Sequence, residues 1–239
     1  MNIIKNKEPK LLMPSFSVDT ELSKKLNEYD ITRLMNKSNF SLFLGKAGSG
    51  KTSLMTSFLK TPALFKKVYH NVFLFMPSNS RNSMKDNFFD KNIPEEQIFD
   101  NVSYEDLLSV YDIAKENALE NFNTLIIFDD TQKYFKEKPI EKLLLHIINN
   151  RRHGRISIWL CCQNYITIPR TIRQGLTDLF IFKINKTEME NIFNEQVEQF
   201  KDNFRNIMKN VYDKPHSFLY INTNSQRLFS NWDEIIIKE

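Results

Sequence analysis

The sequence predicts an α/β fold, with a mainly parallel β-sheet flanked by helices and a small C-terminal hairpin. Of its 239 residues, 41% are hydrophobic and 26% charged, which is typical of a globular domain with a sizeable core. Short, continuously apolar runs alternate with longer amphipathic segments, as expected for parallel strands that are covered on both faces. The predicted strands are Phe40–Leu44, Val72–Met76, Thr124–Phe128, Ile156–Cys161 and Leu179–Ile184.

The segments between and after these strands predict the remaining elements. Thr187–Asn210 predicts one long helix, and the runs Phe218–Asn222 and Arg227–Ser230 predict a hairpin that turns at Thr223–Gln226. The helices predicted between the strands are Lys51–Lys60, Ser80–Asp90, Tyr104–Asn121 and Ile140–Asn150.

The domain organisation follows from the position of these elements. We predict an N-terminal extension at 1–38, a core at 39–186, and a C-terminal helix and hairpin at 187–239 that pack on the core. The extension contains a short apolar stretch, Leu11–Phe16, and a polar helical pattern at Asp19–Lys37.

Composition excludes several classes of protein. No apolar run approaches the roughly 18 residues of a membrane-spanning helix, and Met1–Lys10 lacks the apolar region of a secretion signal. Cys161 and Cys162 are adjacent on a predicted strand and would point to opposite faces, so they indicate neither a disulfide nor a metal site but a reducing compartment. The net charge of +4 permits a nucleic-acid partner without requiring one.

Glycine is concentrated where the backbone must approach a ligand. The chain has five glycines, and three of them lie in the segment Gly45–Thr52, which matches G-x-x-x-x-G-K-[ST] between a predicted strand and a predicted helix. Such a loop points backbone N–H groups at phosphates, with Lys51 reaching the β- and γ-phosphates and the Thr52 hydroxyl bound to Mg²⁺. The predicted phosphate-binding residues are Gly45, Lys46, Ala47, Gly48, Ser49, Gly50, Lys51, Thr52 and Ser53.

Polar residues follow two further predicted strands. Asp129 and Asp130 end the third strand, and the carboxyl ends of parallel strands are where ligands bind in such sheets. Asp129 is the expected Mg²⁺ ligand beside Thr52, and Asp130 is placed to polarise an attacking water, which favours hydrolysis of a nucleotide over its transfer to a small acceptor. Gln163 ends the next strand and would lie within reach of the γ-phosphate.

Two basic clusters offer arginines for an active site. Arg151, Arg152 and Arg155 precede the strand that ends at Gln163, and Arg170 and Arg173 follow it. An arginine finger inserted into a neighbouring subunit would stabilise transition-state charge. Each of these arginines is equally compatible with a solvated basic surface.

The motifs together resemble a known superfamily. GKAGSGKT, LIIFDD, RRHGRISIWLCCQ and IPRTIR resemble the FtsK–HerA superfamily of DNA-pumping ATPases over residues 38–185, and are most similar to the poxvirus-type genome-packaging ATPases of large DNA viruses and virophages. The resemblance implies a RecA-like (ASCE) P-loop NTPase with the strand order 5-1-4-3-2. Because this superfamily carries an arginine eleven residues before its sensor glutamine, the resemblance selects Arg152 ahead of Arg151 and Arg155, with Arg173 also left as a candidate.

The resemblance also implies a function. It implies a homo-oligomeric ring, a pentamer or hexamer, that uses ATP and Mg²⁺ to move double-stranded DNA into a preformed capsid, with a capsid component as partner. It places the protein in the viral factory of the host cytoplasm and in the virion. Lys51, Asp130, Gln163 and Arg152 would be the catalytic residues. Many members have Asp-Glu in place of the Asp-Asp pair, and no large additional domain for DNA is evident.

Three alternatives remain open. Asn185-Lys186-Thr187-Glu188 resembles the guanine motif of GTPases, although Glu188 replaces its aspartate, the acidic strand lacks the glycine of D-x-x-G, and Gln163 has no role in that scheme. A small-molecule or nucleotide kinase would need an arginine-rich lid, and none is evident. A nucleotide-bound scaffold without hydrolysis is disfavoured because Lys51, Thr52 and both acids are present.

Overall fold

The computed structural model describes residues 35–62, 64–82 and 87–236, and its described strands form a single sheet. These strands are β1 (Phe40–Leu44), β2 (Asn71–Phe75), β3 (Ile98–Phe99), β4 (Thr124–Asp129), β5 (Ile156–Cys162), β6 (Asp178–Phe182), β7 (Phe218–Asn222), β8 (Arg227–Ser230) and β9 (Asp233–Glu234). Their order is β3-β2-β4-β5-β1-β6-β7-β8-β9.

The topology confirms the predicted α/β fold. The strands from β3 to β6 pair in parallel, while β7, β8 and β9 pair antiparallel. The five strands predicted from apolar runs correspond to β1, β2, β4, β5 and β6, and their order across the sheet is the expected 5-1-4-3-2. The carboxyl ends of β1, β4 and β5 therefore lie side by side at one edge.

Helices cover both faces of the sheet, and the apolar side chains of each strand alternate between two cores. One core contains Phe58 of the helix Lys51–Lys60 beside Trp159 and Cys161. The other contains the buried faces of the helices Tyr104–Leu119 and Lys138–Asn150 with Cys162. Both cysteines are buried, Cys161 in one core and Cys162 in the other, which agrees with the prediction that they point to opposite faces of the sheet. The described α-helices are α1 (Lys51–Lys60), α2 (Ser78–Asn82), α3 (Phe88–Asn92), α4 (Tyr104–Leu119), α5 (Lys138–Asn150), α6 (Arg170–Arg173), α7 (Lys186–Gln196) and α8 (Phe204–Val211).

Two helix predictions differ from the structure. The single helix predicted at Thr187–Asn210 is wrong: α7 ends at Gln196, a 3₁₀ helix follows at Glu198–Asn203, and α8 begins at Phe204. The break occurs because Val197 leaves helical geometry, with φ −146° and ψ 50°, and is fully buried. Part of the predicted helix Ser80–Asp90, residues 83–86, lies outside the described residues; on either side of it the structure has the short helices α2 and α3, and the extended backbone of Asn87 caps the start of α3.

The predictions for the two ends of the chain have different outcomes. The apolar stretch Leu11–Phe16 and most of the predicted helix Asp19–Lys37 lie outside the described residues, and the described end of that helix is not helical. The predicted hairpin is present as β7 and β8, and β7 joins the edge of the core sheet by pairing with β6. The predicted domain boundaries at residues 38 and 186 stay predictions.

Within the described part of the chain, no helix combines the length and apolarity needed to cross a bilayer.

Candidate active site

The conformation of the loop between β1 and α1 depends on its glycines. Gly48 and Gly50 have φ values of 72° and 108°, a left-handed region that only glycine adopts at low cost. A Cβ on Gly45 would lie 2.6 Å from Ser49 Oγ and 2.7 Å from Phe182 Cβ, so the loop also depends on close approach at its start. Helix α1 has no side-chain cap at Gly50, and its first N–H groups are available to an anion.

Lys51 lies inside this loop. Its side chain is 7% exposed, and its Nζ donates hydrogen bonds to the carbonyl oxygens of Gly45 (2.8 Å) and Lys46 (3.0 Å). These two bonds hold the ammonium group inside the phosphate-binding loop. A phosphate group entering the loop would meet this charge together with the N-terminal dipole of α1.

The two acids at the end of β4 have different environments. Asp129 is buried, and its pKa is raised to about 6, mainly by burial and additionally by the charge of Asp130, against the opposing effects of the Cys161 thiol and the Lys51 ammonium. Asp130 has φ 52°, which turns the chain immediately after the strand. Its Oδ2 accepts a hydrogen bond from Gln163 Nε2 at 3.2 Å, and its buried Oδ1 has no partner among the described residues.

The predicted residues from three strand ends line one cavity. This cavity, which we call the acid cavity, has a volume of about 450 Å³. Met76, Ser80 and Phe88 also line it and were not predicted from the sequence, because only the pairing of β2 with β4 brings that segment to the site. The predicted residues in its wall are Ala47, Gly48, Lys51, Thr52, Ser53, Asp129, Asp130 and Gln163.

The donor set of this cavity fits a magnesium-bound triphosphate. Carboxylate and hydroxyl oxygens are the ligands that Mg²⁺ prefers, and the cavity offers Asp129, Asp130 and Thr52. The orphaned Oδ1 of Asp130 is a buried acceptor of the kind that a bound water or ligand satisfies. The described residues contain no group of three or more His, Cys, Asp or Glu that could hold a metal ion, so a metal in this cavity would depend on the two carboxylates, the Thr52 hydroxyl and the phosphates of the nucleotide.

The structure separates the candidate arginines. Arg173 is buried, donates to Glu195 Oε1 at 2.8 Å and to Tyr165 O at 3.3 Å, and stacks on the Tyr165 ring. Arg151 donates to two backbone carbonyl groups, and Arg155 is held by two hydrogen bonds to Asn121. Arg152 is exposed in the turn before β5, at the edge of the sheet opposite the acid cavity.

The residues that imitate a guanine motif have structural roles. Asn185 caps α7 by accepting the N–H of Glu188 at 2.8 Å. Glu188 is buried, and its Oε1 accepts the N–H of Tyr165 at 2.9 Å. Neither residue lines the cavities beside the phosphate loop, so nothing in this geometry favours guanine recognition.

Sequence reasoning missed the C-terminal residues that contact the phosphate loop. His216 Nδ1 donates to the carbonyl oxygen of Ser49 at 2.9 Å, and a second cavity between Phe182, Phe218 and helix α1 adjoins the loop. No local pattern indicates these residues, since only the pairing of β7 with β6 brings them next to Gly50.

Comparison with known proteins places this site in a family. A family model described as Poxvirus A32 protein matches residues 26–237. The chain is 30% identical over 154 residues to the DNA packaging protein OPG160 of Variola virus and of Vaccinia virus (strain Copenhagen), covering 62% of this chain and 54% of each relative. The chain thus spans about half the length of the curated relatives it matches.

Solved structures agree on the fold. The genome packaging NTPase B204 from Sulfolobus turreted icosahedral virus 2 matches in complex with AMP (TM-score 0.61) and with ATP-γS (TM-score 0.60), each at 16% identity and covering 82% of this chain and 97% of B204. This likeness shows a P-loop NTPase fold. Because the family model covers the phosphate loop, both acids and nearly all of the rest of the chain, the resemblance to the poxvirus-type branch is confirmed, and the chain belongs to the Poxvirus A32 protein family.

Proposed function

We propose that this protein is an ATP-hydrolysing motor that moves double-stranded DNA and packages a viral genome into a preformed capsid. The observation that carries the proposal is the convergence of the phosphate loop, Asp129, Asp130 and Gln163 on one cavity. The packaging role is supported by the name of the poxvirus relatives, which are DNA packaging proteins, and by the fold shared with a genome packaging NTPase.

The phosphate loop would bind the triphosphate of ATP. Lys51 is already buried in the loop and would exchange its bonds with Gly45 O and Lys46 O for phosphate oxygens. Asp129 and Thr52 would hold Mg²⁺, and the ion would neutralise part of the negative charge of the phosphates. Asp129 must be ionised to take part, and the adjacent Lys51 charge favours that form.

Asp130 and Gln163 would handle the attacking water. Asp130 Oδ1 has no partner among the described residues, so it is free to accept a proton or a hydrogen bond from a water in the cavity. Gln163 is bonded to the other oxygen of the same carboxylate. A γ-phosphate would compete for the Gln163 amide, which would allow this residue to sense the state of the nucleotide.

We assign the arginine finger to Arg152, acting between subunits. Arg152 precedes β5 (Ile156–Cys162, seven residues), and a strand of this length spans roughly 20 Å. The residue therefore cannot reach the acid cavity of its own subunit at the other end of that strand. A homo-oligomeric ring, a pentamer or hexamer, would bring it to the site of a neighbour.

We assign DNA contact to a basic surface that follows the acids. In the described structure, none of its lysines forms an ion pair with another residue, so their charge is available to phosphates. Tyr104 of α4 lies beside two of them across a shallow cavity. Thr131 alone separates Asp130 from the helix that begins this surface. The basic surface consists of the exposed residues Lys133, Lys136, Lys138 and Lys142.

The remaining expectations concern the setting. A motor of this kind would dock on a capsid component and act in the viral factory of the host cytoplasm, with some copies retained in the virion. These expectations rest on the packaging relatives and on the proposed activity.

Hydrolysis with and without double-stranded DNA tests the proposal. We expect phosphate release from ATP to require Mg²⁺ and to rise several-fold when duplex DNA is added, with Lys51→Ala inactive. Preference for GTP over ATP would favour a GTPase, and phosphate transfer to a small acceptor would favour a kinase. A rate of ATP hydrolysis that does not change when DNA is added, at any salt concentration, would contradict the proposal of a DNA motor.

A further inference from the structure

A second cavity adjoins the phosphate loop and has a different chemical character. This cavity, which we call the aromatic cavity, has a volume of about 450 Å³. One wall is formed by the rings of Phe182, His216 and Phe218, and the other by the first turns of α1, including Leu54 and Ser57. It shares Gly48, Lys51, Thr52 and Ser53 with the acid cavity, so the two cavities meet across the start of α1.

His216 is fixed against the phosphate loop. Its Nδ1 donates to Ser49 O at 2.9 Å, and its backbone has φ 62°, an uncommon conformation for a residue other than glycine. A Cβ on Gly50 would lie 3.3 Å from Phe182 Cε1 and 3.4 Å from His216 Nδ1. The glycine therefore allows both rings to approach the loop.

The loop that carries His216 is itself anchored. Tyr212, at the start of this loop, donates its hydroxyl to the carbonyl oxygen of Ile181 at 2.8 Å. At its other end, Phe218 begins β7, which pairs with β6. The ring of His216 is thus positioned by the C-terminal part of the fold and not by the phosphate loop alone.

The order of the two cavities matches the order of groups in a nucleoside triphosphate. The acid cavity suits the charged, metal-binding end, whereas aromatic walls suit a nucleobase, because every base has a face that stacks on aromatic side chains. We propose that the aromatic cavity is the nucleoside subsite, with the purine base of the nucleotide stacked on the exposed ring of His216. Phe182 and Phe218, whose rings pack on each other with their centroids 5.7 Å apart, would form the apolar wall beside the base. This inference rests on the proposed function and adds the C-terminal segment to the nucleotide site.

The test separates base binding from phosphate binding. His216→Asn is the informative variant, because asparagine tolerates a left-handed backbone and can still donate to Ser49 O, whereas it removes the ring. We expect the Kd for ATP to rise about tenfold in this variant, while the Kd for inorganic tripolyphosphate stays unchanged. His146→Asn, which makes the same change at an exposed histidine of α5, is the matched control and should leave both constants unchanged.

A fluorescent base gives a direct readout of stacking. The fluorescence of 2-aminopurine riboside triphosphate should be quenched on binding to the full chain, and His216→Asn should restore most of it at saturating ligand. Binding without quenching, or an equal loss of ATP and tripolyphosphate affinity in His216→Asn, would overturn the subsite and leave the proposed function standing. If the wild-type chain binds neither ATP nor tripolyphosphate, both proposals fail.

Discussion

The side-chain amide of Gln163 donates a hydrogen bond to Asp130 Oδ2 at 3.2 Å. The two residues follow neighbouring parallel strands, β4 and β5, so their contact joins residues that are 33 positions apart in the chain and links the carboxyl ends of two strands. The second oxygen of the same carboxylate is buried and has no partner among the described residues. The amide thus restrains the carboxylate while one oxygen remains available to the cavity.

We expect Asp130→Asn to slow ATP hydrolysis by about 10²–10⁴-fold, because an amide cannot take a proton from water. Gln163→Ala should slow it by about tenfold, since the carboxylate is then no longer restrained. If the two act as one unit, the double variant should be no slower than Asp130→Asn alone. Phosphate release at saturating ATP measures the rates, and effects that simply multiply would contradict the coupling.

The buried Asp178 predicts how stability depends on pH. Its carboxylate accepts bonds from Thr177, Tyr220 and Asn222, yet burial dominates and raises its pKa to about 6. Because the folded state holds this proton more tightly than the unfolded chain, the group stabilises the fold below about pH 4, and that contribution is lost as pH rises to about 6 and stays absent above it.

Asp178→Asn is the variant that isolates this effect. An asparagine cannot titrate, so the free energy of unfolding of the wild type relative to the variant should fall by about 2 kcal/mol between pH 4 and pH 7. Urea denaturation at several pH values measures the difference. A constant difference would show that Asp178 has an ordinary pKa in the folded protein.

Much of the fold was predictable because burial on both faces of a parallel sheet leaves continuous apolar runs. Strand β4, for example, is buried at every position, and the run Thr124–Phe128 identified it. The prediction of one helix over Thr187–Asn210 was wrong because the break has no local signal. Val197 is an ordinary apolar residue, and its departure from helical geometry comes from tertiary packing. No glycine or proline marks that break.

The site was predictable where its residues form a contiguous motif or, like Gln163, directly follow a recognisable strand. The loop from Gly45 to Thr52 is a contiguous pattern, and Asp129 and Asp130 end a recognisable strand. His216 and Phe88 reach the same site only through sheet order and helix packing, so no spacing in the sequence points to them. Among the arginines, the sequence could not separate Arg173 from the others, because burial decides its role.

Arg173 and Arg152 should differ in what they affect. Removing Arg173 would break its buried ion pair with Glu195 and its stacking on the Tyr165 ring. Glu195 would then be left with the hydrogen bond from the Tyr165 hydroxyl, so Arg173→Ala should lower the free energy of unfolding by about 3 kcal/mol. Arg152 lies in an exposed turn, so Arg152→Ala should change stability by less than about 0.5 kcal/mol while slowing hydrolysis by about 10³-fold or more in the assembled protein. Chemical denaturation and ATPase rates on both variants measure this contrast.

Mixed assemblies test whether Arg152 acts between subunits. An Arg152→Ala subunit keeps its phosphate loop, and a Lys51→Ala subunit keeps its arginine, so mixing two nearly inactive proteins should restore some hydrolysis at shared interfaces. Each variant alone, at the same total protein concentration, is the control. Absence of recovery at every ratio would argue against the assignment.

The basic surface predicts the salt dependence of DNA binding. Replacing Lys133, Lys136, Lys138 and Lys142 together by glutamine should weaken duplex binding regardless of sequence, because phosphate contacts carry no base information. The slope of log K against log salt concentration should become shallower by about 0.9 for each DNA phosphate that the variant no longer neutralises. Fluorescence anisotropy on two unrelated duplexes over a range of salt concentrations measures both quantities. A control with the same change in charge replaces Lys115, Lys186, Lys201 and Lys209, which are exposed elsewhere; an equal weakening in that control would show that net charge, and not this surface, governs the binding of DNA.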